Sequence, residues 1–438
     1  MRKRISNTIQ KIVSPINEAF AKMEISGLIL LLMTIMALYL ANSSFGEQFL
    51  HIWHWEVKLS LGDFNTAFDL HFFINDILMT LFFVVVGGEI KREIVEGALS
   101  SKEKALLPVI AALGGMFFPG IIYALLNWNQ PTISGWGIPT ATDIAFSLTI
   151  ISLLGKRIPF SLKIFLAALA IADDLGAIVV IAIFYSSSIA GTYLFIGLLL
   201  CLILFALNKL GVTQLVWYIL FGIALWYSFY MGGVHPTISG VVLAFAVPFK
   251  LKNWDQIFET KLTEVKECVT ALSDKTLNDK LIKGQIIERL QNVTHKMESP
   301  LHNLLVFLHP YTNYIIMPLF AFANAGVIIN ASAFGSITSP IGLGIILGLM
   351  IGKSTGILVT SWLAVKFKIA KLPDDLNWKL LYGMAWVAGI GFTMSMFVTG
   401  LAFSKDTFIE TAKIAILLAS LLSGIIGYAL LRLFTVVK

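Results

Sequence analysis

The chain has 438 residues, of which 57% are hydrophobic and only 13% are charged, with a net charge of +6. Soluble domains carry roughly 25% charged residues, so most of this chain faces lipid or other buried helices. Its basic residues lie in short loops between apolar runs, a pattern that sets membrane orientation and excludes a nucleic-acid-binding patch. The two cysteines, Cys201 and Cys268, lie in an apolar run and a polar loop, so no disulfide framework is expected.

Apolar runs of about 20 residues, the length of a membrane-spanning helix, recur along the whole chain. The first begins near Ile25 without a small-residue cleavage site, so we expect a retained span and not a cleaved signal peptide. Lys and Arg are concentrated in every second loop, which predicts that both termini are cytoplasmic. The twelve predicted spans are 25–42, 71–90, 105–126, 133–155, 160–185, 190–208, 214–230, 234–248, 311–329, 340–364, 378–401 and 409–432.

Two loops are predicted to have structure of their own within a single transmembrane domain of residues 1–438. Residues 54–70 alternate apolar and polar side chains, which favours a small outer β-hairpin whose edge can pair with a second subunit. A simple surface loop is the alternative there. Residues 249–309 are expected to form a long, charged cytoplasmic loop with helical stretches at 260–268 and 278–290.

Two of the predicted spans, the fourth and the eleventh, are interrupted by glycine-rich segments. These segments are 135–142 (Gly-Trp-Gly-Ile-Pro-Thr-Ala-Thr) and 389–393 (Gly-Ile-Gly-Phe-Thr). Each interrupted span is the middle one of three, in spans 3–5 and 10–12, which indicates a repeat of architecture. Broken helices expose unpaired backbone groups and helix-end charges, and matching breaks in two halves are typical of transporter binding sites.

Four ionisable side chains are predicted to lie at one depth, near the middle of the membrane. Asp173 and Asp174 lie at the midpoint of span 5. Asp143 lies at the midpoint of span 4, and Lys353 at that of span 10. An ionised group there costs about 2.5–3.5 kcal/mol, so such residues are retained for a reason. A structural ion pair would account for one aspartate and the lysine, but it leaves two acids unexplained.

Asp173 and Asp174 are adjacent on a helix and therefore point about 100° apart. One of them can reach Lys353 while the other faces a water-filled cavity. Two carboxylates this close cannot both ionise cheaply, so we expect them to titrate as a pair. A small hard cation neutralises them as well as protons do, and Thr140 and Thr142 supply neutral oxygen ligands nearby. Competition between a cation and protons, combined with alternating access, is sufficient for exchange.

Four other polar residues are candidates for gating or pH sensing. Asp76 and Glu89 lie near the two ends of span 2, and His235 and His309 each precede a proline at the edge of a span. Histidine titrates near neutral pH, which suits a sensor. The alternative for each residue is an interfacial side chain that extends to water. No spacing of His or Cys indicates a zinc site.

Several motifs, which extend from span 2 to span 11, closely resemble those of the NhaA family of sodium/proton antiporters. The most specific are two aspartate motifs about thirty residues apart, Pro139-Thr-Ala-Thr-Asp-Ile-Ala-Phe146 and Leu169-Ala-Ile-Ala-Asp-Asp-Leu-Gly-Ala177. The others are Ile74-Asn-Asp76, Gly233-Val-His-Pro-Thr237, Pro318-Leu-Phe-Ala-Phe-Ala-Asn-Ala-Gly326, Ile351-Gly-Lys353 and Gly389-Ile-Gly-Phe-Thr-Met-Ser395.

The resemblance implies an all-α inner-membrane protein with inverted repeats, a feature for which this family is a standard example. It implies electrogenic export of Na⁺ (or Li⁺) for two protons, a role in Na⁺ and pH homeostasis, and no cofactor. Asp173, Asp174 and Thr142 would carry the cation and protons. Asp143 and Lys353 would compensate charge at the broken helices, with Lys353 near Asp173. The family is often dimeric through an outer hairpin and is activated at alkaline pH.

The sequence departs from this family at positions that concern control of the activity. Leu305-Val306 stand where a Glu-His pair is frequent, and Gly88 stands where a larger apolar residue is usual. Three other classes of protein are alternatives to the antiporter. An intramembrane aspartyl protease would place its acids on separate helices, and a channel would not need paired broken helices. A related antiporter with another cation or proton stoichiometry is the third.

Overall fold

The computed structural model describes residues 25–61, 64–97, 99–186, 190–249, 299–329 and 335–435. Helices make up nearly all of the regular structure in this part of the chain, and α5 is a 3-10 helix. The helices are α1 Ile25–Ala41, α2 Gly46–Ile52, α3 Leu70–Val95, α4 Lys102–Leu126, α5 Pro131–Thr140, α6 Ile144–Leu153, α7 Phe160–Phe184, α8 Gly191–Leu210, α9 Leu215–Gly232, α10 Ile238–Ala246, α11 Pro300–Asn324, α12 Pro340–Lys366, α13 Trp378–Val387, α14 Phe392–Ala402 and α15 Asp406–Phe434.

The helices are those of a polytopic membrane protein. Within the described residues, eight helices are long and apolar enough to cross a membrane, or ten if each of the bent pairs α5–α6 and α13–α14 is one span. The remaining two of the twelve expected spans correspond to shorter helices. Helix α1 is apolar but shorter than the eight, and α10 has nine residues.

Both interrupted spans are bent at a break in the helix. Helices α5 and α6 meet at 41° across residues 141–143, and α13 and α14 meet at 49° across residues 388–391. The first break lies nearer to the C-terminal end of its glycine-rich segment than expected. Residues 135–140 continue the 3-10 helix, which accommodates Pro139, and the Thr140 hydroxyl donates to the Gly137 carbonyl at 2.8 Å.

The two strands β1 (Glu56–Leu61) and β2 (Phe64–Asp69) form the one sheet in the described part of the chain. They are antiparallel, with Glu56 opposite Asp69 and Leu61 opposite Phe64. At the end of β2 the Asp69 carboxylate accepts a hydrogen bond from Phe72 N at 2.6 Å and caps α3. The hairpin therefore leads directly into a membrane helix.

Helix α11 begins earlier than the sequence predicted, which corrects the expected end of the 249–309 loop. Residues 300–309 are helical, and Ser299 Oγ accepts a hydrogen bond from His302 N at 3.1 Å. The apolar side chains of this turn are buried at helical spacing, which explains why it folds; they are Leu301, Leu304, Leu305 and Leu308. Residues 250–298, including the expected helices at 260–268 and 278–290, lie outside the described residues.

The chain divides into two compact units. The first comprises the described residues within 1–82, 89–187 and 311–438, and it contains both bent pairs together with α4, α7, α12 and α15. The second comprises those within 83–88 and 188–310. Its core is apolar and is formed by Val84, Val85, Leu204, Tyr218, Leu225, Phe229, Ala244, Ala246, Val247, Leu301, Leu304, Leu305 and Leu308.

Candidate functional site

Helix α7 places two adjacent carboxylates in its middle turn. Both side chains are buried, with Asp173 0% exposed and Asp174 2% exposed. Nearly all their neighbours in the helix sequence are apolar. The described residues give no hydrogen-bond partner to Oδ1 of Asp173 or to Oδ1 of Asp174. Buried polar atoms normally have partners, so these two oxygens are candidate ligands for a proton or a cation.

The other carboxylate oxygen of Asp173 has two partners, one on α12 and one in the break between α5 and α6. Lys353 Nζ lies 2.9 Å from Asp173 Oδ2, and both side chains are fully buried. Thr142 Oγ1 donates to the same oxygen at 2.6 Å. It also lies 3.1 Å from the Ala388 carbonyl oxygen. Because a hydroxyl has one hydrogen, Thr142 donates to only one of these acceptors at a time.

Lys353 reaches this position because α12 packs with its backbone directly against its neighbours. A Cβ added at Gly352 would lie 2.9 Å from Pro119 Cα, and one at Gly356 would lie 2.2 Å from the Gly114 carbonyl oxygen. Gly348, in the same row of glycines, begins a π-helical turn that ends at Gly352. Glycine at every fourth position allows membrane helices to approach closely. This spacing is visible in the sequence and is a signal for close helix packing.

Asp143 joins the two helix breaks. Its Oδ1 accepts from Phe146 N at 3.1 Å and caps α6. Its Oδ2 accepts from Thr393 N at 3.0 Å and from the Thr393 hydroxyl, at the start of α14. Its own backbone N–H donates to the Ile390 carbonyl at 2.7 Å. One carboxylate therefore stabilises two helix N-termini, which carry partial positive charge. Thr393 was not among the predicted site residues, although it lies in the interrupted segment 389–393.

The C-terminal ends of the other two half-helices expose carbonyl groups to the same site. Lys353 Nζ donates to the Thr140 carbonyl at the end of α5. At the end of α13, the Val387 carbonyl accepts from Ser147 Oγ at 3.1 Å. The next carbonyl, that of Ala388, is the alternative acceptor for Thr142. Donor side chains thus satisfy helix ends that carry partial negative charge.

The remaining predicted residues lie apart from these contacts or act at longer range. Asp76 lies in a π-helical stretch of α3, and its carbonyl accepts from Thr80 Oγ1 at 2.6 Å. Glu89 lies on the same helix, nearer to its C-terminal end. The histidines belong to the second unit, where His235 Nδ1 lies 2.7 Å from Thr237 Oγ1 and His309 lies on α11.

The described residues contain no cluster of three or more His, Cys, Asp or Glu side chains suited to a metal ion. A bound cation would therefore share two carboxylates with neutral oxygens of hydroxyl or carbonyl groups. That donor set suits a small hard cation that binds reversibly. A polytopic helical protein with such a centre beside two broken helices belongs to the class of secondary transporters.

Comparison with known proteins identifies the family. The sequence model of the Na⁺/H⁺ antiporter 1 family matches residues 17–431. "Na(+)/H(+) antiporter NhaA" of Helicobacter pylori (strain G27) is 46% identical over 406 residues, 92% of this chain and 91% of the relative. "Na(+)/H(+) antiporter NhaA 1" of Clostridium beijerinckii is 44% identical over 434 residues, 99% of this chain and 98% of the relative. The chain belongs to the Na⁺/H⁺ antiporter 1 family, whose members are transporters and not enzymes.

Proposed function

We propose that the chain is an electrogenic Na⁺/H⁺ antiporter of the bacterial inner membrane, which exports Na⁺ (or Li⁺) and serves Na⁺ and pH homeostasis. The names of its relatives and the family match support Na⁺/H⁺ exchange. Twelve spans would result if α1, α10 and each bent pair cross the membrane once. An even number places both termini on one side, and the Lys and Arg in alternate loops favour the cytoplasmic side. Inverted repeats are part of the proposal. The shared position of the two breaks supports a repeat around one central site.

Charge balance among the buried residues carries the proposal. Asp143 is compensated by two helix N-termini, each equivalent to roughly half a positive charge. Asp173 is compensated by Lys353 at 2.9 Å. Asp174 has neither kind of partner among the described residues, and its Oδ1 is buried. An unpaired buried carboxylate is strongly unfavourable, so Asp174 binds a proton or a cation at all times.

Exchange follows from competition for the same oxygens. A cation would bind Oδ1 of Asp174 and Oδ1 of Asp173, with Thr142 Oγ1 as a neutral ligand. The hydroxyl hydrogen of Thr142 would then rotate towards the Ala388 carbonyl. The first proton displaced comes from Asp174, and the second comes from the Asp173–Lys353 pair, which gives two protons for one cation. The site changes its access loaded with either species.

Two further features extend the proposal beyond the exchange site. The antiparallel strands β1 and β2 pair with no third strand among the described residues, and such edges suit strand pairing with a second copy of the chain. A homodimer through this hairpin is therefore part of the proposal, with membrane lipid as the other partner. Asp76, Glu89, His235 and His309 are proposed to act in gating or pH response at the ends of the pathway.

Everted membrane vesicles test the proposal through the cation-dependent dissipation of a pH gradient, with Na⁺, Li⁺ and K⁺ each added separately. Asp174→Asn is expected to abolish the response while the protein still inserts. Asp406→Asn removes an exposed carboxylate on α15 and should retain the wild-type response. Full exchange by Asp174→Asn would contradict the site. A K⁺ response equal to that of Na⁺ would favour the related antiporter with another cation.

A further inference from the structure

A tyrosine at the end of α7 forms hydrogen bonds with the 3-10 helix α5, on the N-terminal side of the end that contacts Lys353. The Tyr185 hydroxyl donates to the Ser134 carbonyl at 2.6 Å and accepts from Gly137 N at 3.2 Å. Both contacts are to the backbone of α5. A 3-10 helix of ten residues is unusually long, and its hydrogen bonds are less well aligned than those of an α-helix. External hydrogen bonds to its backbone therefore matter more for its position.

Glycine at position 137 is required for this contact. A Cβ added at Gly137 would lie 2.6 Å from Tyr185 Oη, which is too close for any real side chain. The neighbouring residues also meet, because the Trp136 ring packs edge-on against Phe184 at a centroid distance of 5.0 Å. Two consecutive residues of α5 thus contact two consecutive residues at the end of α7. We call the hydrogen bonds of Tyr185 to Ser134 and Gly137 the tyrosine latch.

The latch joins the two elements that also meet at the exchange site. Helix α7 carries Asp173 and Asp174, and Tyr185 follows about 17 Å further along, from a rise of about 1.5 Å per residue. Helix α5 ends at Thr140, whose carbonyl accepts from Lys353. Separation of α5 from α7 at this end would break both hydrogen bonds of Tyr185 at once.

We propose that Tyr185 is a positioning residue whose latch keeps the exchange site closed to the outer face of the membrane. The inference rests on the proposed function and on its topology, in which the end of α7 is on the outer side. An outward opening between α5 and α7 would break both hydrogen bonds of the latch, so the latch favours the inward-open state. A cation on the cytoplasmic side consequently meets a larger fraction of binding-competent protein.

Two variants open the latch by different means. Tyr185→Phe removes the hydroxyl, and Gly137→Ala displaces it while the tyrosine remains. For each, the apparent KM for Na⁺ is measured in everted and in right-side-out vesicles. The KM should rise at the cytoplasmic face and fall at the outer face, which changes their ratio by about three- to tenfold. The double variant should change the ratio no more than the larger single effect, because both remove one contact.

Matched controls distinguish the effect of breaking the latch from the general effect of removing a hydroxyl or adding a methyl group. Tyr382→Phe removes a phenolic hydroxyl for which the described residues offer no hydrogen bond. Gly400→Ala adds a Cβ that would have no atom within 4 Å. Both controls should leave the KM ratio at the wild-type value. Latch variants whose KM values stay unchanged, or change in the same direction at both faces, would overturn the inference.

Amide hydrogen exchange in purified protein tests the latch without transport. Tyr185→Phe should speed exchange in residues 131–140 and leave α8, which lies in the second unit, unchanged. Faster exchange at 131–140 in a protein that shows no Na⁺-dependent transport would contradict the proposed function but support the latch. Unchanged exchange in both Tyr185→Phe and Gly137→Ala would overturn the latch, whatever the transport result.

Discussion

The Lys353 ammonium lies 2.9 Å from Asp173 Oδ2, and neither side chain is exposed to solvent. Desolvation of two charges is costly, and their attraction offsets it only when the geometry is good and other hydrogen bonds are satisfied. Here Thr142 and the Thr140 carbonyl provide those bonds. The pair therefore stabilises the fold only while both members are present.

The first prediction concerns removal of one member of this pair. Lys353→Met should destabilise the protein by about 3–5 kcal/mol, because it leaves the Asp173 carboxylate buried without its cation. Lys353→Met combined with Asp173→Asn should recover more than half of that loss, since no uncompensated charge remains. Thermal unfolding in detergent, followed for both variants, measures the effect. Additive losses in the double variant would contradict the coupling.

The second prediction concerns the Thr142 hydroxyl. Thr142→Val keeps the shape but removes the oxygen, so the apparent KM for Na⁺ should rise about tenfold, as for loss of one ligand oxygen and its hydrogen bond. Thr142→Ser keeps the hydroxyl and should remain within about threefold of wild type. Thr149→Val is the control, because it removes a hydroxyl that donates to the Ala145 carbonyl within α6 at 2.7 Å and is not one of the proposed ligands. Equal KM values for Val and Ser at position 142 would exclude the hydroxyl as a ligand.

The composition of the site was more predictable than its contacts. Charged residues are conspicuous in apolar runs, so Asp143, Asp173, Asp174 and Lys353 could be placed at one depth from the sequence. Which oxygen of Asp173 binds Lys353 depends on how α12 approaches the break in the first bent pair. That approach depends on backbone contact at small residues, which average hydropathy does not register.

The first and last residues of the helices were predictable only where hydropathy changes sharply along the sequence. The first turns of α11 mix His302 and Asn303 with buried leucines, so their mean polarity resembled a loop. The stripe of Leu301, Leu304 and Leu308 at helical spacing was the available signal. The position of the first break was shifted for a different reason, since a 3-10 helix accommodates glycine and Pro139 before it ends.

The third prediction concerns Asp143, which caps two helices at once. Asp143→Ala should destabilise the protein by about 2 kcal/mol, because each lost cap contributes about 1 kcal/mol. Thr393→Val removes the hydroxyl donor but leaves the backbone N–H of residue 393 as a donor to Asp143. It should therefore destabilise the protein by about 1 kcal/mol. Asp143→Asn keeps one acceptor oxygen, so its loss of stability should lie between those of Asp143→Ala and Thr393→Val. Denaturation in detergent ranks the three variants, and a neutral Asp143→Ala would contradict the double cap.

The last prediction concerns two departures from the family pattern that meet in the second unit. A Cβ at Gly88 would lie 2.7 Å from Leu305 Cδ2 and 3.3 Å from Leu301 Cδ1. The leucine at position 305 therefore fills the room that a side chain at position 88 would need. Gly88→Leu should destabilise the protein by about 1–3 kcal/mol through overpacking.

Shortening the partner is expected to reverse that loss. Leu305→Ala alone should cost about 2–5 kcal/mol, because it leaves a cavity among buried leucines. Gly88→Leu combined with Leu305→Ala should be more stable than Leu305→Ala, since the new side chain occupies that cavity. The coupling between the two positions, measured as a double-mutant cycle from unfolding curves in detergent, should be at least about 1 kcal/mol. A coupling energy near zero would contradict the prediction that the side chains at positions 88 and 305 compete for the same volume.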